Sequence, residues 1–146
     1  MSPQQAQTKP SLPYVHPISV HFPQALLPAA FASFLLYIYS GLTQFEHAAY
    51  VMLIFGLLAT PLAIATGFAD WKLHYRGQMT SLFRIKIIGS AGLTALALPA
   101  LLLRLQHPET TALPLSGTGW IYLGLLAACQ VACIVIGHYG GKLVFH

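Results

Sequence analysis

The chain has 146 residues, of which 56% are hydrophobic and 7% are charged, with a formal net charge of +4. An ordinary soluble domain carries about 25% charged residues, so a water-soluble globule is excluded as the fold class. The basic balance does not imply nucleic acid either, because a chain this apolar has no soluble basic surface on which to hold a duplex.

Residues 1–15 (MSPQQAQTKPSLPYV) are polar and proline-rich, with no short apolar core and no small-residue cleavage site. They read as a flexible polar tail rather than a cleaved leader, and residues 16–146 read as one domain. Four apolar runs without an internal charge follow: Phe22–Gly41, Ala48–Ala69, Ile87–Leu103 and Trp120–Gly137. Each is near the roughly 20 residues that a helix needs to cross about 30 Å of hydrocarbon. A closed barrel would alternate apolar and polar residues in shorter runs, and these do not alternate. The sequence predicts an all-α integral membrane four-helix bundle.

If the four helices alternate in direction, the tail, the connection between helices 2 and 3 and the C-terminus share one side. That side holds Lys9, Lys72, Arg76, Arg84, Lys86 and Lys142, and the other holds Arg104 alone. The asymmetry predicts cytoplasmic termini and a basic rim suited to anionic headgroups of the lipid bilayer. Trp71, Trp120, Tyr14, Tyr75 and Tyr139 fall near the predicted boundaries, as an aromatic belt places them. His16, His21, His74, His138 and His146 fall on the basic side; His47 and His107 fall on the other.

Helices in lipid pack through small residues that let backbones approach. In helix 2, Gly56, Thr60, Ala63 and Gly67 form one helical stripe that extends through Asp70 to His74. In helix 1, His21, Ala25, Pro28 and Ala32 share a face. Helix 3 offers Gly89 and Gly92 beside Ser90 and Ala91. Helix 4 offers Gln130, Cys133, Gly137 and Gly140 or Gly141, with His138 beside that stripe. Three helices would thus bring imidazole to one depth, pointing wholly or partly into the bundle, which suggests a bound metal or haem. The bland alternative is interfacial histidine. Pro28, Pro61 and Pro99 lie inside helices, where proline removes a backbone hydrogen bond; ordinary membrane-helix proline is the simpler account, and widening of one bundle end the sharper one. Cys129 and Cys133 share one face of helix 4 and read as small buried packing residues.

The stretches HPISVHFP, GLLATPLAIATGFADW and GHYGGKLVF resemble those of a family of small four-helix bacterial membrane proteins, domain of unknown function 2231. The matching residues are His16, Pro17, Val20, His21, Phe22 and Pro23; Thr66, Gly67, Asp70 and Trp71; and Gly140, Gly141, Leu143 and Val144, with Phe145 and His146 more loosely. The resemblance spans residues 14–146. Many members carry a histidine at the start of helix 3, where this chain has Lys86. The resemblance implies a multi-pass protein of the bacterial inner membrane. Members fused to Rieske or cytochrome c modules imply, by association, a redox partner of that type.

Three functions are weighed. The first is a b-type haem electron relay, which needs two imidazoles from facing helices. His21 and His138 are the leading axial pair; His74 replaces either, or pairs with His16 for a second haem. In this reading Asp70 orients His74, Arg84, Lys86 and Lys142 neutralise propionates, and Gly137, Gly140 and Gly141 leave room for the macrocycle. The second is a non-haem zinc, iron or copper site of His16, His21, His74 and Asp70. The third is a cofactor-free structural subunit or anchor for a redox complex. A transporter has little machinery here. An enzyme reading lacks a phosphate loop, a nucleophile elbow or paired carboxylates, and no residue identifies a quinone pocket. Oligomeric state is left open.

Overall fold

The computed structural model describes the backbone of residues 15–73 and 81–144, with side chains described for 19–69, 71, 72, 84, 85 and 87–139. Four helices appear in chain order: α1 (Val15–Ser40), α2 (Thr43–Leu73), α3 (Ser81–Gln106) and α4 (Gly117–Val144). A 3-10 turn, Pro108–Thr111, lies between α3 and α4. There is no strand among the described residues. Membrane-length apolar spans run over Ser19–Ser40, Thr43–Ala69, Ile87–Gln106 and Gly117–Tyr139, so each predicted run lies within or close to one span. The tail expected over residues 1–15 lies outside the described residues except at Val15, which opens α1.

The helices alternate in direction. α1 packs most extensively on α2 and α3 on α4, while α1 with α4 and α2 with α3 close the bundle. Both described ends, Val15 and Val144, therefore lie at one end of the bundle, here called the terminus end. The turn between α1 and α2 is made by Gly41 at φ +69°, whose N–H donates to the Tyr37 carbonyl at 2.8 Å. That is the left-handed helix stop for which glycine has no Cβ penalty. At the start of α4, the Gly119 N–H donates to Ser116 Oγ at 3.3 Å, an N-cap contact.

The predicted inner faces of α2 and α4 match the fold. Gly56, Thr60 and Ala63 are buried on α2, and Cys129 and Cys133 on α4, both cysteines free thiols. Helix 1 is a correction. His21, Ala25 and Ala32 are exposed, and the inward stripe is Ser19, Pro23, Leu27, Ala30, Phe34 and Tyr37. The reason is that close approach needs a small residue on only one partner. A Cβ on Gly56 would stand 2.9 Å from Leu27 Cδ2, so α2 supplies the hollow and α1 the knob. On α3 the expectation holds in part. Gly89 admits Ile136 of α4, whereas Gly92 faces open space and the buried residues are Leu93, Ala97 and Ala100.

Packing is densest away from the terminus end, where Phe34 and Tyr122 meet edge to face with centroids 5.0 Å apart. In α3 the described residues from Arg84 to Gly92 include none that is buried, and neither do those of α2 from Ile64 to Lys72.

These contacts set an expected order of stabilities. Gly56→Ala, and Gly119→Ala, whose Cβ would stand 2.6 Å from the Thr110 carbonyl oxygen, should each destabilise by about 1–3 kcal/mol through overpacking. Gly92→Ala and Gly124→Ala, with nothing within 4 Å, should change stability by no more than about 1 kcal/mol, the helix-propensity difference. Unfolding of the detergent-solubilised protein measures all four.

Candidate functional site

The histidines of the terminus end are fixed by helix register. Gln24 of α1 lies against Gly137 of α4, its Nε2 3.9 Å from where a glycine Cβ would stand. His21 precedes Gln24 by three residues and His138 follows Gly137 by one, so their depths differ by about 3 Å at 1.5 Å per residue. Around α1 the order runs from Phe22 and Leu26 on the α2 side, through buried Leu27, to Gln24 and then His21. Around α4 it runs from Ile136 against α3, through buried Cys133, to Gly137 and then His138. Both imidazoles thus border the outer side of the α1–α4 seam, and both are exposed. This corrects the expectation that they point into the bundle: the residues that meet the neighbouring helix are the adjacent Gln24 and Gly137. His138 makes an edge contact with Tyr139, ring centroids 5.5 Å apart.

The remaining predicted site residues separate. Arg84 is exposed on α3, which meets α4 through Gly89 and Ile136, the flank away from the seam. Asp70 lies in α2, His16 in α1, Lys86 in α3, and Gly140, Gly141 and Lys142 in α4, all with side chains outside the described set; His74 lies outside the described residues altogether. Among the described residues no group of three or more His, Cys, Asp or Glu is placed to hold a metal ion. The seam also carries a deeper polar group, Gln130, whose Oε1 is buried without a hydrogen-bond partner.

A two-imidazole donor set on adjacent helices suits haem iron chemically. The Gln24–Gly137 approach leaves no slot between α1 and α4 at that depth. The pair therefore fits a group standing on the outer side of the seam, not one enclosed by this bundle.

The opposite end holds a polar cluster that the sequence reading set aside. Arg104 Nε donates to Glu46 Oε1 at 2.7 Å, with the two side chains only 19% and 14% exposed. Thr111 Oγ1 donates to the same oxygen at 3.1 Å, and Arg104 Nη1 donates to the Pro108 carbonyl at 3.2 Å. Tyr37 Oη donates to the Thr111 carbonyl at 2.8 Å, and the Arg104 guanidinium lies over the Tyr50 ring, 5.5 Å from its centroid. Glu46 stands in the first turn of α2 and Arg104 in the last turn of α3, the ends at which each charge opposes the helix dipole. The signal was present: one acid and one base, each inside a membrane-length segment, on the same side. Nearby, the Glu109 carboxyl is held below its ordinary value by its own backbone N–H and then by the His107 ring, 3.0 Å away.

Removing one partner of a largely buried pair leaves an uncompensated charge. Arg104→Met should destabilise by about 2–4 kcal/mol, and adding Glu46→Gln should recover part of that loss. A double-mutant cycle on detergent unfolding tests the coupling.

No curated protein and no solved structure matches this chain. The model of one family, described as "Predicted membrane protein (DUF2231)", matches residues 13–146. A match over nearly the whole length, with four membrane-length apolar helices, makes the chain a multi-pass membrane protein that belongs to the DUF2231 family.

Proposed function

We propose that this protein is a membrane-embedded redox subunit that carries a b-type haem between His21 and His138, on the outer side of the α1–α4 seam. The observation that supports the reading is the approach of Gln24 to Gly137, which sets two exposed imidazoles on adjacent helices at nearly one depth. When bound, haem supplies a one-electron couple tuned by its axial ligands. The chain contributes the rest. Each imidazole offers one ring nitrogen as a donor and keeps the other for a hydrogen bond that fixes its tautomer. Gly137 keeps the α4 backbone bare beside His138, and Lys142 lies four residues further along α4, at one helical turn's spacing. Cytoplasmic termini, expected from the basic asymmetry, put this site at the inner face, within reach of a redox partner that covers the seam.

A cofactor-free anchor of a redox complex is the second reading, favoured by the exposure of both rings. Absorption spectroscopy on protein purified from haem-replete cells separates the two. The haem reading expects a Soret band that shifts on reduction and disappears in His21→Ala and in His138→Ala while the helical circular dichroism and melting temperature are kept. A colourless, folded wild type overturns it and leaves the anchor.

A further inference from the structure

The flank of α1 opposite the seam carries a different feature. Between α1 and α2 runs an open groove of about 550 Å³, lined by apolar residues that include Phe22, Leu26, Met52, Phe55, Ala59 and Leu62. Its floor is the wall where Leu27 seats on Gly56. Along α2 the lining extends from Val51 to Leu62, which is about 17 Å at 1.5 Å per residue and close to half of a hydrocarbon core of about 30 Å. The span Thr43–Ala69 is centred on Gly56. Leu62 then lies about 9 Å from the centre toward the terminus end and Lys72 about 24 Å, the latter at headgroup depth.

Charge sets the class of occupant. No polar side chain lines the groove, so nothing in it recognises a polar molecule. Beyond its terminus-side mouth stands exposed Lys72, its ammonium 5.0 Å from the Phe68 ring centroid. Six of the chain's seven lysines and arginines belong to this side of the bundle. A lysine at headgroup depth attracts an anionic lipid surface and reaches it along its flexible stem.

We propose that the groove seats one acyl chain of an anionic phospholipid drawn from the terminus-side leaflet, with the phosphate at the level of Lys72. The protein holds this lipid as a bound ligand. Full-length protein is extracted from vesicles of equimolar phosphatidylglycerol and phosphatidylcholine, and retained lipid is identified by native mass spectrometry. The wild type is expected to retain phosphatidylglycerol in preference to phosphatidylcholine. Ala59→Phe, which fills the groove, should lower retention several-fold at an unchanged melting temperature, with Leu62→Trp as the second filling variant if the first does not fold. Lys72→Gln should keep a retained lipid but lose the preference for the anionic one. Equal retention of both lipids by the wild type, retention of neither, or undiminished retention in a folded groove-filling variant overturns the proposal. Cross-linking of Leu62→Cys between two copies, which would show the groove covered by protein, also overturns it.

Discussion

A charge inside hydrocarbon persists only when it is paired and its remaining hydrogen-bonding capacity is met. That constraint shapes the end of the bundle farthest from the termini. Arg104 of α3 meets Glu46 of α2, and the same carboxylate oxygen accepts from Thr111 in the connection between α3 and α4. The Thr111 carbonyl in turn accepts from Tyr37 of α1, while Gly119 of α4 admits the Thr110 backbone. All four helices and the connection are thereby referenced to a single ion pair. The terminus end has no comparable anchor among the described residues. Its contacts are a Ser19–Thr66 hydroxyl pair at 2.7 Å, Gln24 against Gly137, and Ile136 seated on Gly89.

The two flanks of α1 have opposite chemistry. Toward α2 the surface is wholly apolar, a groove backed by the Leu27–Gly56 contact. Toward α4 the seam carries Gln24 and Gln130, with His21 and His138 on its outer margin. Polar groups at membrane depth are costly, and here they concentrate along one boundary of one helix. The redox reading and the lipid reading therefore occupy different sides of α1.

Much of the architecture was legible in the residues. Charge-free runs of membrane length gave four helices, and the Gly56, Thr60, Ala63 stripe gave the true inner face of α2 because glycine there meets a large neighbour. The inner face of α1 was not legible by the same rule. Leu27, Phe34 and Tyr37 are large, and what makes them interior is the hollow offered by the partner helix, which a single helix's pattern does not contain. The same gap governed the site. Histidine depth could be read by counting residues, but ring direction depends on which neighbour each helix leans against, and Gln24 and Gly137 hold the contact that the imidazoles were expected to make. The Glu46–Arg104 pair lay 58 residues apart in the chain. It went unread because attention followed imidazole, although a lone acid and a lone base in membrane-length segments are each other's natural partners.

The connection between α1 and α2 is only Gly41 and Leu42. Ser40 Oγ donates to the Leu36 carbonyl at 2.6 Å and accepts from the Leu42 N–H at 3.3 Å, while the Gly41 N–H is taken by Tyr37. Backbone groups that would be bare on crossing hydrocarbon are thus already satisfied locally. So short a link forbids α1 from resting in the bilayer while α2 waits outside it. During biosynthesis the pair must enter as one pre-folded hairpin, and a fusion tag or reporter placed at residue 41 would obstruct that entry, whereas the longer stretch after Gln106 has slack to accept one.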